Sequence, residues 1–143
     1  MLDQSRINVR VRLAGMWTSM LFVFAYVDLF SLYRADVGAD LDVGRMGGFT
    51  VGDGFLLGTT AYVLVPALMI TGSLMLSAPV ARMANLVFAA VYAVSCVAGA
   101  IGDRAYYLLG TAVEVALLIA VAVTAWRWPR AASSRRVADR SGA

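Results

Sequence analysis

A chain of 143 residues has room for one domain, and here 61% of it is apolar, only 15% is charged, and mean hydropathy is +0.77. That exceeds the roughly half-apolar content of a soluble globular chain, so part of the solvent is predicted to be lipid. The cations are all arginine and histidine is missing, which removes the commonest general base and metal ligand, while the single Cys96 excludes an internal disulfide or a Cys-x-x-Cys redox pair.

Residues 1–12 are polar, with Arg6, Arg10 and Arg12 leading into an apolar run over 13–33. At about 1.5 Å per residue this run spans roughly 30 Å, the thickness of a hydrocarbon core. A cleaved signal peptide would have a shorter apolar region and a small-residue cleavage site, whereas this run ends in Leu32-Tyr33-Arg34. Residues 35–54 are rich in glycine and aspartate and are expected to form a loop, without sustained helix or strand periodicity. Asp53 or Thr50 is expected to cap the following helix.

From Phe55 to Ile101 the only charge is Arg82. The stretch is twice the length of one span, and Ser77-Ala78-Pro79 is its natural break, because proline lacks an N–H and restricts the residue before it. The predicted spans are therefore 55–76 and 80–101. Gly102-Asp103-Arg104 makes a tight turn, and 105–126 is the fourth span. Residues 127–143 form a basic tail too poor in apolar residues to fold alone.

Orientation follows from arginine placement. Nine arginines (6, 10, 12, 82, 127, 130, 135, 136 and 140) fall on one side of the spans, and Arg34, Arg45 and Arg104 on the other, with five aspartates. The expected fold is all-α: a four-helix transmembrane bundle, up-down-up-down, both termini cytoplasmic, in the plasma (inner) membrane. The short basic tail beside a span is explained by orientation and anionic lipid, so no nucleic-acid partner is expected. No P-loop or G-x-G-x-x-G spacing occurs, and nothing calls for a metal or other cofactor.

Two carboxylates lie inside predicted spans, Asp28 about 7 Å and Glu114 about 13 Å from the outer level. Placing a carboxylate at the bilayer centre costs about 3 kcal/mol, so such residues call for a functional explanation. Tyr62 and Tyr92 fall at similar depth, with Thr59, Ser95 and Cys96 slightly shallower. Helical spacing aligns Trp17, Met20, Phe24, Asp28 and Ser31 on one face and Tyr107, Gly110, Thr111, Glu114 and Leu118 on another. The candidate site is an outward-facing polar pocket of Glu114, Asp28, Tyr92, Tyr62 and Asn85. The alternative for the acids is to tie helices together, Glu114 to Tyr92 or Tyr62 and Asp28 to the outer turn. For Asn85, near the inner end, the alternative is a structural hydrogen bond. Pro66, mid-span, should bend its helix and free backbone carbonyls for a partner.

The stretches Phe24-Ala25-Tyr26-Val27-Asp28-Leu29-Phe30-Ser31-Leu32, Ala81-Arg82-Met83-Ala84-Asn85, Val113-Glu114-Val115 and Ala125-Trp126-Arg127-Trp128-Pro129 resemble a family of small bacterial four-helix membrane proteins of unknown function, loosely similar to DoxX-like proteins. That pattern often has an acid before the second-helix proline, whereas Leu64 and Val65 precede Pro66 here, so a three-acid site is not complete. The resemblance implies the four-helix architecture and highlights Asp28, Asn85 and Glu114, but no activity. Three functions compete. One is binding or transport of a small lipophilic or cationic molecule, which at this size calls for a homodimer. Another is a membrane-embedded isomerase or cyclase using Glu114 and Asp28 as acid and base. The third is an accessory subunit of a larger membrane complex.

Overall fold

The computed structural model describes residues 7–128; Arg6 and the basic tail from residue 129 onward, with the expectations placed on them, lie outside that range. The elements in chain order are α1 (Val9–Ser31), α2 (Ala35–Asp42), β1 (Arg45–Met46), β2 (Phe49–Thr50), α3 (Asp53–Met75), α4 (Ala78–Ala100) and α5 (Ala105–Trp126). Helices α1, α3, α4 and α5 are each long and apolar enough to cross a membrane, with 22 or 23 residues apiece. The protein is a multi-pass membrane protein with an up-down-up-down bundle.

Two expectations for residues 35–54 fail. The segment holds the short helix α2 and a two-stranded antiparallel hairpin, with Met46 opposite Phe49 and Arg45 opposite Thr50. Gly47 (φ 56°) and Gly48 (φ 84°) occupy the turn, where both residues must adopt positive φ, a conformation nearly free of cost only for glycine. Nor does Thr50 or Asp53 cap α3: its N-cap is Gly52, without a side-chain hydrogen bond, and Asp53 stands in the first turn. A negative charge there still complements the helix dipole. Pro79 does mark the α3–α4 break and sits in the first turn of α4, where its missing N–H has no helical partner to lose.

Around the bundle, α1 packs on α3 and α5, and α4 packs on α5, while the α3–α4 seam is looser. The core runs through Leu13, Trp17, Met20, Met69, Ala89, Tyr92, Cys96, Leu118, Val121 and Ala125. At the end where α1 begins, arginines fasten the helix termini. Arg10 Nη1 donates to the carbonyls of Ser73 (3.2 Å), Leu74 (3.1 Å) and Leu76 (2.7 Å) at the end of α3. Arg82 donates from Nε to Ala125 O (3.1 Å) and from Nη2 to Trp126 O (3.2 Å) at the end of α5. The last carbonyls of a helix lack intrahelical donors and carry its negative dipole end, so a cation there satisfies both needs. Arg10 and Arg82 also lie over the rings of Trp128 (5.2 Å) and Trp126 (5.9 Å).

A buried polar knot joins three helices just inside this basic end. The Trp17 indole N–H donates to Asn85 Oδ1 (2.7 Å), and Asn85 Nδ2 donates to Ser73 Oγ (3.1 Å) and to Ala81 O (2.8 Å). All three side chains are fully buried. Where no water can substitute, such a network holds only if every member is satisfied.

At the opposite end, Arg34 pairs with Asp36 (2.6 Å) and Asp103 (2.8 Å) and donates to the Tyr106 hydroxyl (3.4 Å), tying α2 to the α4–α5 turn. The hydrogen bond from Arg34 holds the Asp36 carboxyl at about 2, and the same pairing raises the Arg34 guanidinium above its ordinary value.

Candidate functional site

The site begins with a close helix crossing. Gly110 of α5 faces Val27 of α1, and a Cβ built on Gly110 would overlap the Val27 side chain. Only a glycine lets the two backbones approach this far, as small residues do wherever membrane helices pack closely. The crossing aligns the next residues along both helices. Tyr107 of α5 lies beside Asp28 of α1. One turn outward, Ser31 Oγ and the Tyr106 hydroxyl lie 2.9 Å apart.

Two turns deeper along α5 from Tyr107 stands Glu114, with only 4% of its surface exposed. The Cys96 thiol of α4, itself 8% exposed, lies beside it, and Asp28 is within electrostatic reach. Tyr62 of α3 completes the ring, within electrostatic reach of both Cys96 and Glu114. Thus Asp28, Tyr62, Cys96 and Tyr107, one from each of the four long helices, all lie within electrostatic reach of Glu114.

The tyrosines of α3 and α4 do not bind Glu114 as the tie-helix alternative required. The Tyr62 hydroxyl pairs with Ser95 Oγ at 2.6 Å. The Tyr92 hydroxyl donates to the backbone carbonyl of Tyr62, four residues before Pro66. Proline has no N–H, so this is the carbonyl that α3 leaves without a helical donor. The expectation that Pro66 frees a carbonyl for a partner is realised by Tyr92. The crevice beside it, lined by Phe24, Tyr62, Pro66 and Tyr92 among others, is too narrow for a water molecule. Asn85 lies apart from the cluster, in the knot with Trp17 and Ser73. Of the candidates, therefore, Asp28, Glu114 and Tyr62 come together, Tyr92 supports Tyr62 from behind, and Asn85 belongs to the other end of the bundle.

Tyr107 and Cys96 join the cluster although neither is among the candidate residues that the sequence singles out. The shared helical face of Tyr107 and Glu114 was visible in their seven-residue spacing. The pairing of Cys96 with Glu114 depends on how α4 and α5 rotate against each other, which spacing does not give.

Among the described residues no arginine pairs with either acid. Among the described residues the ion pairs are Arg34 with Asp36 and Asp103, and Arg104 with Asp36 (3.5 Å). Arg10 and Arg82 are committed to carbonyls at the far end. Among the described residues, no three acids or cysteines stand close enough to hold a metal ion. A lipid-side groove of about 580 Å³ between α4 and α5, lined by Val97, Ala100, Leu108, Thr111, Ala112 and Val115 among others, does not include Glu114.

Neither the curated proteins nor the solved structures contain a match to this chain. A family of unknown function, DUF6326, matches residues 4–134, and nothing in that match ties it to DoxX-like proteins. With the match covering nearly the whole chain and all four membrane helices, the protein belongs to the DUF6326 family.

Proposed function

We propose that the Asp28–Glu114 pair is a binding site where a proton is exchanged for a small lipophilic cation. The observation that carries this reading is the proximity of two acids: Asp28 of α1 and Glu114 of α5 lie within electrostatic reach inside the bundle, and no arginine pairs with either among the described residues. Two like charges in a low-dielectric interior repel, and each alone costs several kcal/mol to bury. Such a pair calls for a neutralising proton or cation, and intramembrane acids mark ion and substrate pathways by default. The aromatic surround of Tyr62 and Tyr107 suits an organic cation, which rings attract through their faces.

Access fits an approach from the aspartate-rich end. Ser31, Tyr106 and Arg34 form a hydrogen-bonded series from the level just beyond Asp28 to the Asp36–Asp103 surface. The gathering of arginine at the other end supports an outer position for this mouth under the positive-inside rule.

The test uses detergent-solubilised protein and tetraphenylphosphonium as the probe cation. Binding should release protons into a weakly buffered solution, and Glu114→Gln should abolish both the release and most of the affinity. Probe binding without proton release, or undiminished in Glu114→Gln, would overturn the reading.

A further inference from the structure

We propose that the basic end of the α4–α5 seam is a binding site for an anionic phospholipid, with an acyl chain in the groove and the phosphate at Arg127. A groove of about 380 Å³ is lined there by Leu86 of α4, Ala122, Val123 and Trp126 of α5, and Arg127. Its walls are apolar along the membrane depth and change to tryptophan and arginine at the mouth, matching a lipid's division into chain and headgroup. One turn before Leu86, Arg82 lies over the Trp126 ring and adds a second positive charge beside the mouth.

Charge complementarity selects the anionic class. Arg10, Arg12, Arg82 and Arg127 cluster at this end, and the ion pairs found among the described residues all lie at the other. Arg10 and Arg82 are engaged with backbone carbonyls, which are dipoles and do not cancel a full charge. Arg127, exposed at the end of α5, is the cation placed to meet a phosphodiester at the interface. A free phosphate would satisfy Arg127 but leave the groove unfilled, so a lipid is the occupant.

Trp126 is exposed at the groove mouth whereas Trp17 is fully buried, so quenching of tryptophan emission by brominated chains reports chiefly on this end of the protein, where Trp128 also lies. The experiment reconstitutes the protein with phosphatidylglycerol or phosphatidylcholine carrying brominated acyl chains and measures tryptophan quenching. The glycerol lipid should bind more tightly, and Arg127→Gln should reduce that preference about fivefold, the effect of about 1 kcal/mol for one interfacial arginine. Ala122→Phe, which fills the groove, should weaken quenching by either lipid, and inorganic phosphate should not displace the glycerol lipid. Equal quenching by both lipids in the wild type, or an unchanged preference in Arg127→Gln, would overturn the site. Loss of preference in Arg127→Gln with full quenching in Ala122→Phe would also overturn it, leaving only a charged surface. Arg127 is exposed and outside the packed core, so its variant keeps the test independent of any folding defect caused by Ala122→Phe.

Discussion

The Tyr92 hydroxyl of α4 donates to the backbone carbonyl of Tyr62 in α3, the carbonyl that Pro66 leaves without its helical N–H. A proline in a membrane helix is tolerated when a neighbour restores the lost hydrogen bond, and here one phenol does so. The same contact brings the two rings together, tilted by 35° with centroids 4.7 Å apart, and secures the otherwise loose α3–α4 seam. Tyr92→Phe should therefore destabilise the bundle by about 1 to 2 kcal/mol in a denaturant titration in mixed micelles. With Pro66→Ala the backbone supplies its own N–H, so the cost of Tyr92→Phe should fall by about 1 kcal/mol in that background. Additive losses would show that the tyrosine is not replacing the missing donor.

Gly110 sets the distance between α1 and α5. Its α-carbon has no room for a methyl group against Val27, so Gly110→Ala should force the helices apart and cost about 1 to 3 kcal/mol, the range for overpacking. Val27→Ala should restore much of that loss when combined with it. Because Asp28 and Tyr107 flank this crossing, the single variant should also weaken tetraphenylphosphonium binding, and the double variant should recover it. Recovery of stability without recovery of binding would separate the crossing from the site.

Four spans, their order and their rough limits could be read from hydropathy and from proline, because burial in lipid imposes those features on sequence. The hairpin was less visible: Gly47-Gly48 is a recognised turn signal, but strands of two residues are too short for alternation to show. Helix α2 has no buried residue and therefore no apolar stripe; the Arg34–Asp36 contact, a tertiary and local charge effect, stands at its start. Asp28 and Glu114 could be found by depth alone, whereas Cys96 and Tyr107 required the rotation of α4 and α5 about their axes. Asn85 was read both ways, since an amide inside a span looks the same whether its partners are helices or a ligand.

The knot around Asn85 gives a separate test of those two readings. Asn85→Ala leaves the Trp17 indole N–H and the Ser73 hydroxyl without their shared partner, at a cost of about 2 to 3 kcal/mol. The affinity for tetraphenylphosphonium should stay the same, because the Asn85 amide is committed to Trp17, Ser73 and Ala81 and to neither acid. A stable Asn85→Ala variant with impaired probe binding would return this residue to the site.

The Arg34–Asp36 pair predicts a specific acid response. The Asp36 carboxyl is held at about 2 against an ordinary 3.8, so its folded form binds protons less readily than its unfolded form. Its contribution to stability is therefore complete above about 3.8 and is lost as pH falls toward about 2. The difference in Tm between wild type and Asp36→Asn should hold steady at neutral and mildly acidic pH and close across that lower window. The Asp36 side chain is half exposed, so the difference should be small and should shrink in high salt. A gap that survives below the window would assign it to something other than the carboxylate charge.

Cys96 offers a way to locate the bound cation, because it is the only cysteine in the sequence and lies beside Glu114. A buried thiol should react slowly with the membrane-permeant N-ethylmaleimide, at a rate set by how often the cluster opens. Tetraphenylphosphonium bound between Asp28 and Glu114 would shield the thiol and slow labelling several-fold. In Glu114→Gln the probe should give no protection, even where the basal labelling rate has changed. Protection that persists in Glu114→Gln would place the cation elsewhere near α4, and no protection in the wild type would place it outside the cluster altogether. Because the readout is a rate at a native residue, it tests the site's position without knowledge of the physiological ligand.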